Sequence, residues 1–201
     1  PVNLGNTIMG YGLSLASSSG MRHALPHKAI SIMGDGGFWH NGLTSGVTSA
    51  VFNGHDGLLI IIDNGYSAAT GGQDIPSLAK PNLIASTIDA RRPQREQWQS
   101  IEDACRGAGV AWLRTVSTYN IEAMKGTLRE ALTTEAPGLK VVIAEGECML
   151  NRQRRVKPLL KKAIDTGQRI DRARFYIDAE TCTGDHGCIR LSGCPSLTIK
   201  D

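Results

Sequence analysis

Two short stretches carry oxygen ligands at a spacing that suits a hard metal ion. Gly34-Asp35-Gly36-Gly37 closes one apolar run (29–33), and Asp63-Asn64 closes another (57–63), with Asn64 29 residues after Asp35. Mg2+ takes near-octahedral oxygen ligands, few of them from protein and the rest from phosphate and water. A carboxylate at one strand end and an amide oxygen at a neighbouring strand end can supply the protein's share. The flanking glycines let the backbone turn sharply and come close to a phosphate. A lone Gly-Asp-Gly would be only a turn, with Asp35 a helix cap. The apolar run before each half and the helical segment between them favour the metal reading.

A second constellation lies near the C-terminus, where Cys182, Cys188 and Cys194 fall within thirteen residues, with Asp185 midway between the first two and Pro195 after the last. Thiolates at such density suit a soft metal, although C-x5-C-x5-C is poor zinc spacing. Less specific candidates surround the first pair. Gly5, Met9, Gly10 and Gly12 are either a glycine-rich turn at a phosphate or small residues for close packing; a dinucleotide fingerprint lacks its third glycine and its preceding strand. His40 sits just beyond the Gly-Asp-Gly turn, within reach of a diphosphate or substrate. Thr70-Gly71-Gly72-Gln73 reads as a mobile loop or a turn, and His23, His27 and His55 as surface residues.

The elements that position these residues alternate. Residues 29–33 and 57–63 read as strands, the second apolar throughout as in a strand covered on both faces. Between them Leu43, Val47, Ala50 and Val51 share a helical face. After a long polar loop over 64–96, Ser100 caps a helix buried through Ile101, Ala104, Cys105 and Ala108. A strand over 110–116, a helix with Ile121, Met124, Leu128 and Leu132 on one stripe, and a last strand over 139–144 follow. The fold class is therefore α/β, a parallel sheet with helices on both faces, whose ligands bind at the carboxyl ends of strands.

Composition is ordinary for a globular protein: 201 residues, 41% hydrophobic, 20% charged, net charge +3. No apolar run approaches the roughly 20 residues of a membrane helix, and no signal-peptide pattern opens the chain. The five cysteines argue against a disulfide scaffold and for a reducing, cytoplasmic setting. Residues 151–174 hold nine basic side chains against two acidic ones, so the remainder is net acidic. This divides the chain into a binding domain (1–150), a basic linker (151–174) and a cysteine segment (175–201). Neither a nucleic acid nor a membrane is expected as partner.

The Gly34–Gly36 and Asn64 pair resembles the thiamine-diphosphate family, whose motif is GDG, roughly 25–30 residues, then NN. Asp63 stands where many relatives have the first Asn. The resemblance implies Mg2+ held by Asp35, Asn64 and the Tyr66 backbone carbonyl, with Gly34, Asp35, Gly36, Gly37, Met9, Gly10 and His40 near the cofactor. Cys182, Asp185, Cys188 and Cys194-Pro195 resemble half of a bacterial ferredoxin module with Asp in the second position, implying an iron–sulfur cluster. Together with Phe38–Gly42 and Glu147-Cys148-Met149, these features most resemble the 2-oxoacid:ferredoxin oxidoreductases, in their indolepyruvate-oxidising α-subunit branch. That resemblance implies oxidative decarboxylation of a 2-oxo acid to an acyl-coenzyme A, with electrons leaving to ferredoxin. It also implies an oligomer in which a pyrimidine-binding domain or second subunit supplies a catalytic glutamate. A non-oxidative thiamine-diphosphate decarboxylase or synthase, or a non-catalytic cofactor-binding fragment, stands as the alternative.

Overall fold

A computed structural model describes residues 10, 12–21, 24, 26–68, 71–77, 99–170, 177–178 and 180–192. The chain divides into two compact units, Pro1–Leu159 and Leu160–Asp201. The first is built on a four-stranded sheet of β1 (Ile30–Gly34), β2 (Leu58–Asp63), β3 (Trp112–Ser117) and β4 (Lys140–Glu145). The order is β1-β2-β4-β3 and every pairing is parallel, with Gly34 opposite Ile62 and Asp63 opposite Glu145. That register brings the carboxyl ends of β1 and β2 together, the condition the Asp35–Asn64 pair needs.

Helices cover both faces. On one, Met33, Leu59, Ile61, Leu113, Val141 and Ile143 pack against Leu15 of α1 (Ser14–Met21), Phe38, Val47 and Ala50 beyond β1, and Ile101 and Cys105 of α4 (Ile101–Gly107). On the other, Leu58, Trp112 and Val142 meet Met124, Leu128 and Ala131 of α5 (Ile121–Thr133). Ser100 caps α4 by accepting the Asp103 N–H, and Asn120 caps α5 by accepting from Ala123. These caps satisfy donors that the first helical turn leaves open.

The helix after β1 departs from simple periodicity. One α-turn, α2 (Asp35–Gly37), runs into an 11-residue π-helix, Phe38–Thr48, which reverts to α-helix in α3 (Ser49–Phe52). π-Helical segments are rare and concentrate at functional sites. Glycines let this segment lie close to its neighbours: a Cβ on Gly42 would come within 2.5 Å of the Met33 sulfur.

The basic segment expected as a linker is largely helical. α6 (Met149–Asp165) carries most of it, with Pro158 inside, and Asn151 buried. His55 is corrected from a surface residue to a buried one, 2% exposed, with Nε2 3.4 Å from Ser18 Oγ, which itself accepts from Ser31. Its burial comes from the packing of α1 beneath the α3–β2 loop, which a single polar residue in the sequence does not announce. In the second unit the described residues include the short α7 (Gly187–Ser192) and the exposed Cys182, Asp185 and Cys188. None of the described helices is long and apolar enough to cross a membrane.

Candidate cofactor and metal site

Asp35 sits where β1 ends and α2 begins, 2% exposed. Its Oδ1 accepts the Gly36 N–H at 2.7 Å, and its Oδ2 accepts the N–H groups of Asn64 at 2.9 Å and Gly65 at 2.8 Å. One carboxylate thus joins two strand ends that are 29 residues apart in sequence. Asn64 Oδ1 accepts the Tyr66 N–H at 3.1 Å, an Asx turn that leaves the amide oxygen a further lone pair.

Burial and mutual charge act on two carboxyls at this point. Burial pushes the Asp35 carboxyl above its ordinary range, against the pull of its three N–H donors. Asp63, hydrogen-bonded to it, is pushed up to about 6, first by burial and then by the Asp35 charge. A buried and a half-buried carboxyl in contact repel when both are ionised, and a divalent cation relieves that repulsion. The donors are all hard oxygens, so the residues present fit Mg2+. Beyond Asp63 lies a cavity of about 210 Å³ lined by Glu102, Thr115 and Glu145 among others, where burial and neighbouring carboxylates raise the Glu145 pKa. Its lining is acidic and disfavours phosphate; on the other side of Asp35 is the glycine turn.

That side is open. Gly34 has no heavy atom within 4 Å of where a Cβ would stand. Gly12, by contrast, lies against the turn: its φ is +76°, and a Cβ there would come within 2.5 Å of the Gly37 carbonyl oxygen. Gly10 is exposed, and Met9 lies outside the described residues. His40 is exposed on the first turn of the π-helix. The loop after Asn64 is folded back by a Ser67–Gln73 bridge; Gly71, Gly72 and Gln73 are described and Thr70 is not.

Sequence reasoning missed what holds the two halves together. Tyr66 and Ile75 form a small buried cluster with Trp39 and Cys148. The Trp39 indole N–H donates to Ser77 Oγ at 2.8 Å, tying the π-helix to the far end of the metal loop. Interleaved Trp and Tyr beside the Asp35–Asn64 pair was the available signal, but partners this distant carry no fixed spacing.

The cysteine segment is organised differently. Asp185 Oδ1 accepts from Thr183 and from the Gly187 N–H, both at 3.1 Å, and these bonds hold its carboxyl below the ordinary range. Among the described residues no three His, Cys, Asp or Glu side chains gather to hold a metal. Cys194 lies outside them. The described part of the segment does not fit a cluster.

The family described as thiamine pyrophosphate enzyme, C-terminal TPP binding domain, matches residues 2–144. The chain belongs to this family. Indolepyruvate oxidoreductase subunit IorA of Archaeoglobus fulgidus is 32% identical over 188 residues, covering 92% of this chain and 26% of that protein. The subunit of the same name from Methanothermobacter thermautotrophicus is 28% identical over 202 residues, covering 100% and 28%. This TPP-binding chain therefore spans about a quarter of the length of these relatives. A 2-oxoglutarate:ferredoxin oxidoreductase from Magnetococcus marinus has a similar fold, with TM-score 0.54 at 15% identity over 92% of this chain and 74% of that one.

Proposed function

We propose that the chain supplies the diphosphate-binding half of an enzyme that oxidatively decarboxylates a 2-oxo acid. The acid we favour is an aryl pyruvate such as indolepyruvate, with coenzyme A as acyl acceptor and ferredoxin as electron acceptor. The observation that carries this reading is the joining of two parallel strand ends by Asp35, in a family that binds thiamine diphosphate, with relatives named as indolepyruvate oxidoreductase subunits.

Asp35 and Asn64 would hold Mg2+, with the Tyr66 carbonyl as third protein ligand. When bound, thiamine diphosphate supplies the carbanion chemistry that cleaves a 2-oxo acid beside its carbonyl. The chain's own residues bind and orient. Gly34, where a Cβ would meet nothing within 4 Å, gives the backbone clearance a diphosphate needs, and the Tyr66–Trp39 cluster keeps the metal loop from shifting. The acidic cavity beyond Asp63 keeps anions to one side of the metal. A pyrimidine-binding domain or second subunit completes the site, so the working protein is an oligomer. Among the described residues Cys105, Cys148 and Cys182 are free thiols, which suits the reducing cytoplasm where we place it. Cys182, Asp185, Cys188 and Cys194 would need to converge for a cluster, and no electron step is assigned to them.

The test is anaerobic turnover of the full-length protein with indolepyruvate, coenzyme A and ferredoxin. Reduction of ferredoxin that disappears in Asp35→Asn and Asn64→Ala is the expected result. Thiamine-dependent release of CO2 without ferredoxin reduction would instead favour the non-oxidative reading.

A further inference from the structure

Three charged side chains meet at the amino end of the sheet, away from the cofactor site, and their charges do not balance. Lys28 stands just before β1, Asp56 just before β2, and Lys140 opens β4. Lys140 is 0% exposed, and its Nζ donates to Asp56 Oδ1. Lys28 Nζ lies 3.7 Å from that same oxygen, longer than a hydrogen bond, and donates instead to the Thr134 carbonyl at 2.7 Å, at the end of α5. Two lysine side chains thus converge on one carboxylate oxygen, and the buried one holds it by the hydrogen bond.

This arrangement makes Lys28 the more reactive amine. Burial and the adjoining Lys140 amine hold its ammonium below the ordinary lysine range, against the pull of Asp56. A lysine that is desolvated and set beside a second cation is the kind that acts as a nucleophile. Its bond to the Thr134 carbonyl survives loss of the charge, since a neutral amine still donates. Its side chain is 20% exposed, so a reagent can reach it.

We propose that Lys28 is a modification site, whose Nζ takes an acyl group from a coenzyme A thioester. The neutral amine attacks the thioester carbonyl; the C–N bond forms, the C–S bond breaks, and the amine proton leaves with the coenzyme A thiol. Acylation removes the surplus positive charge and leaves Lys140 and Asp56 as a one-to-one pair. The amide N–H that remains on Lys28 still donates to the Thr134 carbonyl. A surface lysine such as Lys125 differs on both counts: its side chain is 60% exposed, and Glu122 pairs with it at 3.0 Å, so acylation there would strand a carboxylate. The choice of an acyl thioester as reagent rests on the proposed function, whose product belongs to that class; the reactive amine does not.

The test incubates full-length protein with acetyl-coenzyme A and follows acetylated peptides over time by mass spectrometry. Lys28 is expected to react several-fold faster than Lys125, although its side chain is 20% exposed against 60%. A Lys28 rate no higher than that of Lys125 overturns the proposal. Lys140→Met leaves Asp56 to Lys28 alone and should abolish the excess; an unchanged Lys28 rate in that variant, folded by circular dichroism, also overturns it. Should Lys140→Met not fold, the wild-type rate measured against pH decides. Lys28 should reach its full rate at a lower pH than Nα-acetyl-lysine reacting in the same tube, and coincident profiles overturn the site. Because the thioester is added, no turnover is needed. Fast acetylation of Lys28 in a protein that makes no acyl-coenzyme A from indolepyruvate would sink the proposed function and support the site.

Discussion

Asp35 serves two ends at once, because the carboxylate that would face a metal also receives three backbone N–H groups. Removing it should therefore harm the fold as well as the chemistry. Asp35→Ala strands those donors and should cost on the order of 3 kcal/mol, read as a fall in Tm. Asp35→Asn keeps the oxygen that accepts from Asn64 and Gly65 and should cost about 1 kcal/mol. Equal Tm values for the two variants would contradict this assignment of bonds. Cysteine chemistry is set at the same scale. Cys105 is fully buried and its thiol is pushed up to about 12, first by burial and then by the Glu102 charge, whereas Cys182 and Cys188 are exposed. Mass spectrometry after brief native alkylation should find Cys182 and Cys188 modified and Cys105 intact. Early labelling of Cys105 would show that the α4 packing is looser than described.

The glycine turn is held by the segment packed on it as much as by its own sequence. Gly12→Ala combines a left-handed φ with a clash at the Gly37 carbonyl oxygen, and should cost about 2 kcal/mol together with cofactor affinity. Gly34→Ala meets open space and should leave the unliganded protein within about 0.5 kcal/mol, while weakening any diphosphate that approaches this backbone. Thermal melts with and without cofactor separate the two. Trp39→Phe and Ser77→Ala break the same hydrogen bond, so each should cost about 1 kcal/mol and the double variant scarcely more. Strict additivity in that cycle would show that the bond is not formed.

Much of this scale was legible beforehand. Continuous apolar runs announced β1 and β2, Ser100 announced α4, and the Gly-Asp-Gly and Asp-Asn ends are the strand ends that Asp35 joins. The π-helix was not legible, because Leu43, Val47, Ala50 and Val51 fit a 3.6-residue period well enough to hide a wider turn. α6 was obscured by its six basic side chains and by Pro158. The half-buried stripe of Val156, Leu160 and Ala163, at i, i+4 and i+7, was the signal that could have shown it.

At the scale of the whole molecule, the chain matches one part of longer relatives. It spans about a quarter of its named relatives, and its family match ends at residue 144, at the end of β4. The proposed function gives the chain the anchor for a diphosphate and leaves to a second domain or subunit the group that activates the cofactor's pyrimidine ring. The central claim is thus about anchoring, and calorimetric titration of thiamine diphosphate into full-length protein tests it without any turnover. With Mg2+ present, wild-type protein should bind saturably. Omitting Mg2+, or substituting Asp35→Asn at full Mg2+, should each weaken binding by about a hundredfold, because both remove the charge that ties the diphosphate to the strand ends. Wild-type affinity in Asp35→Asn, or binding indifferent to Mg2+, would contradict the account.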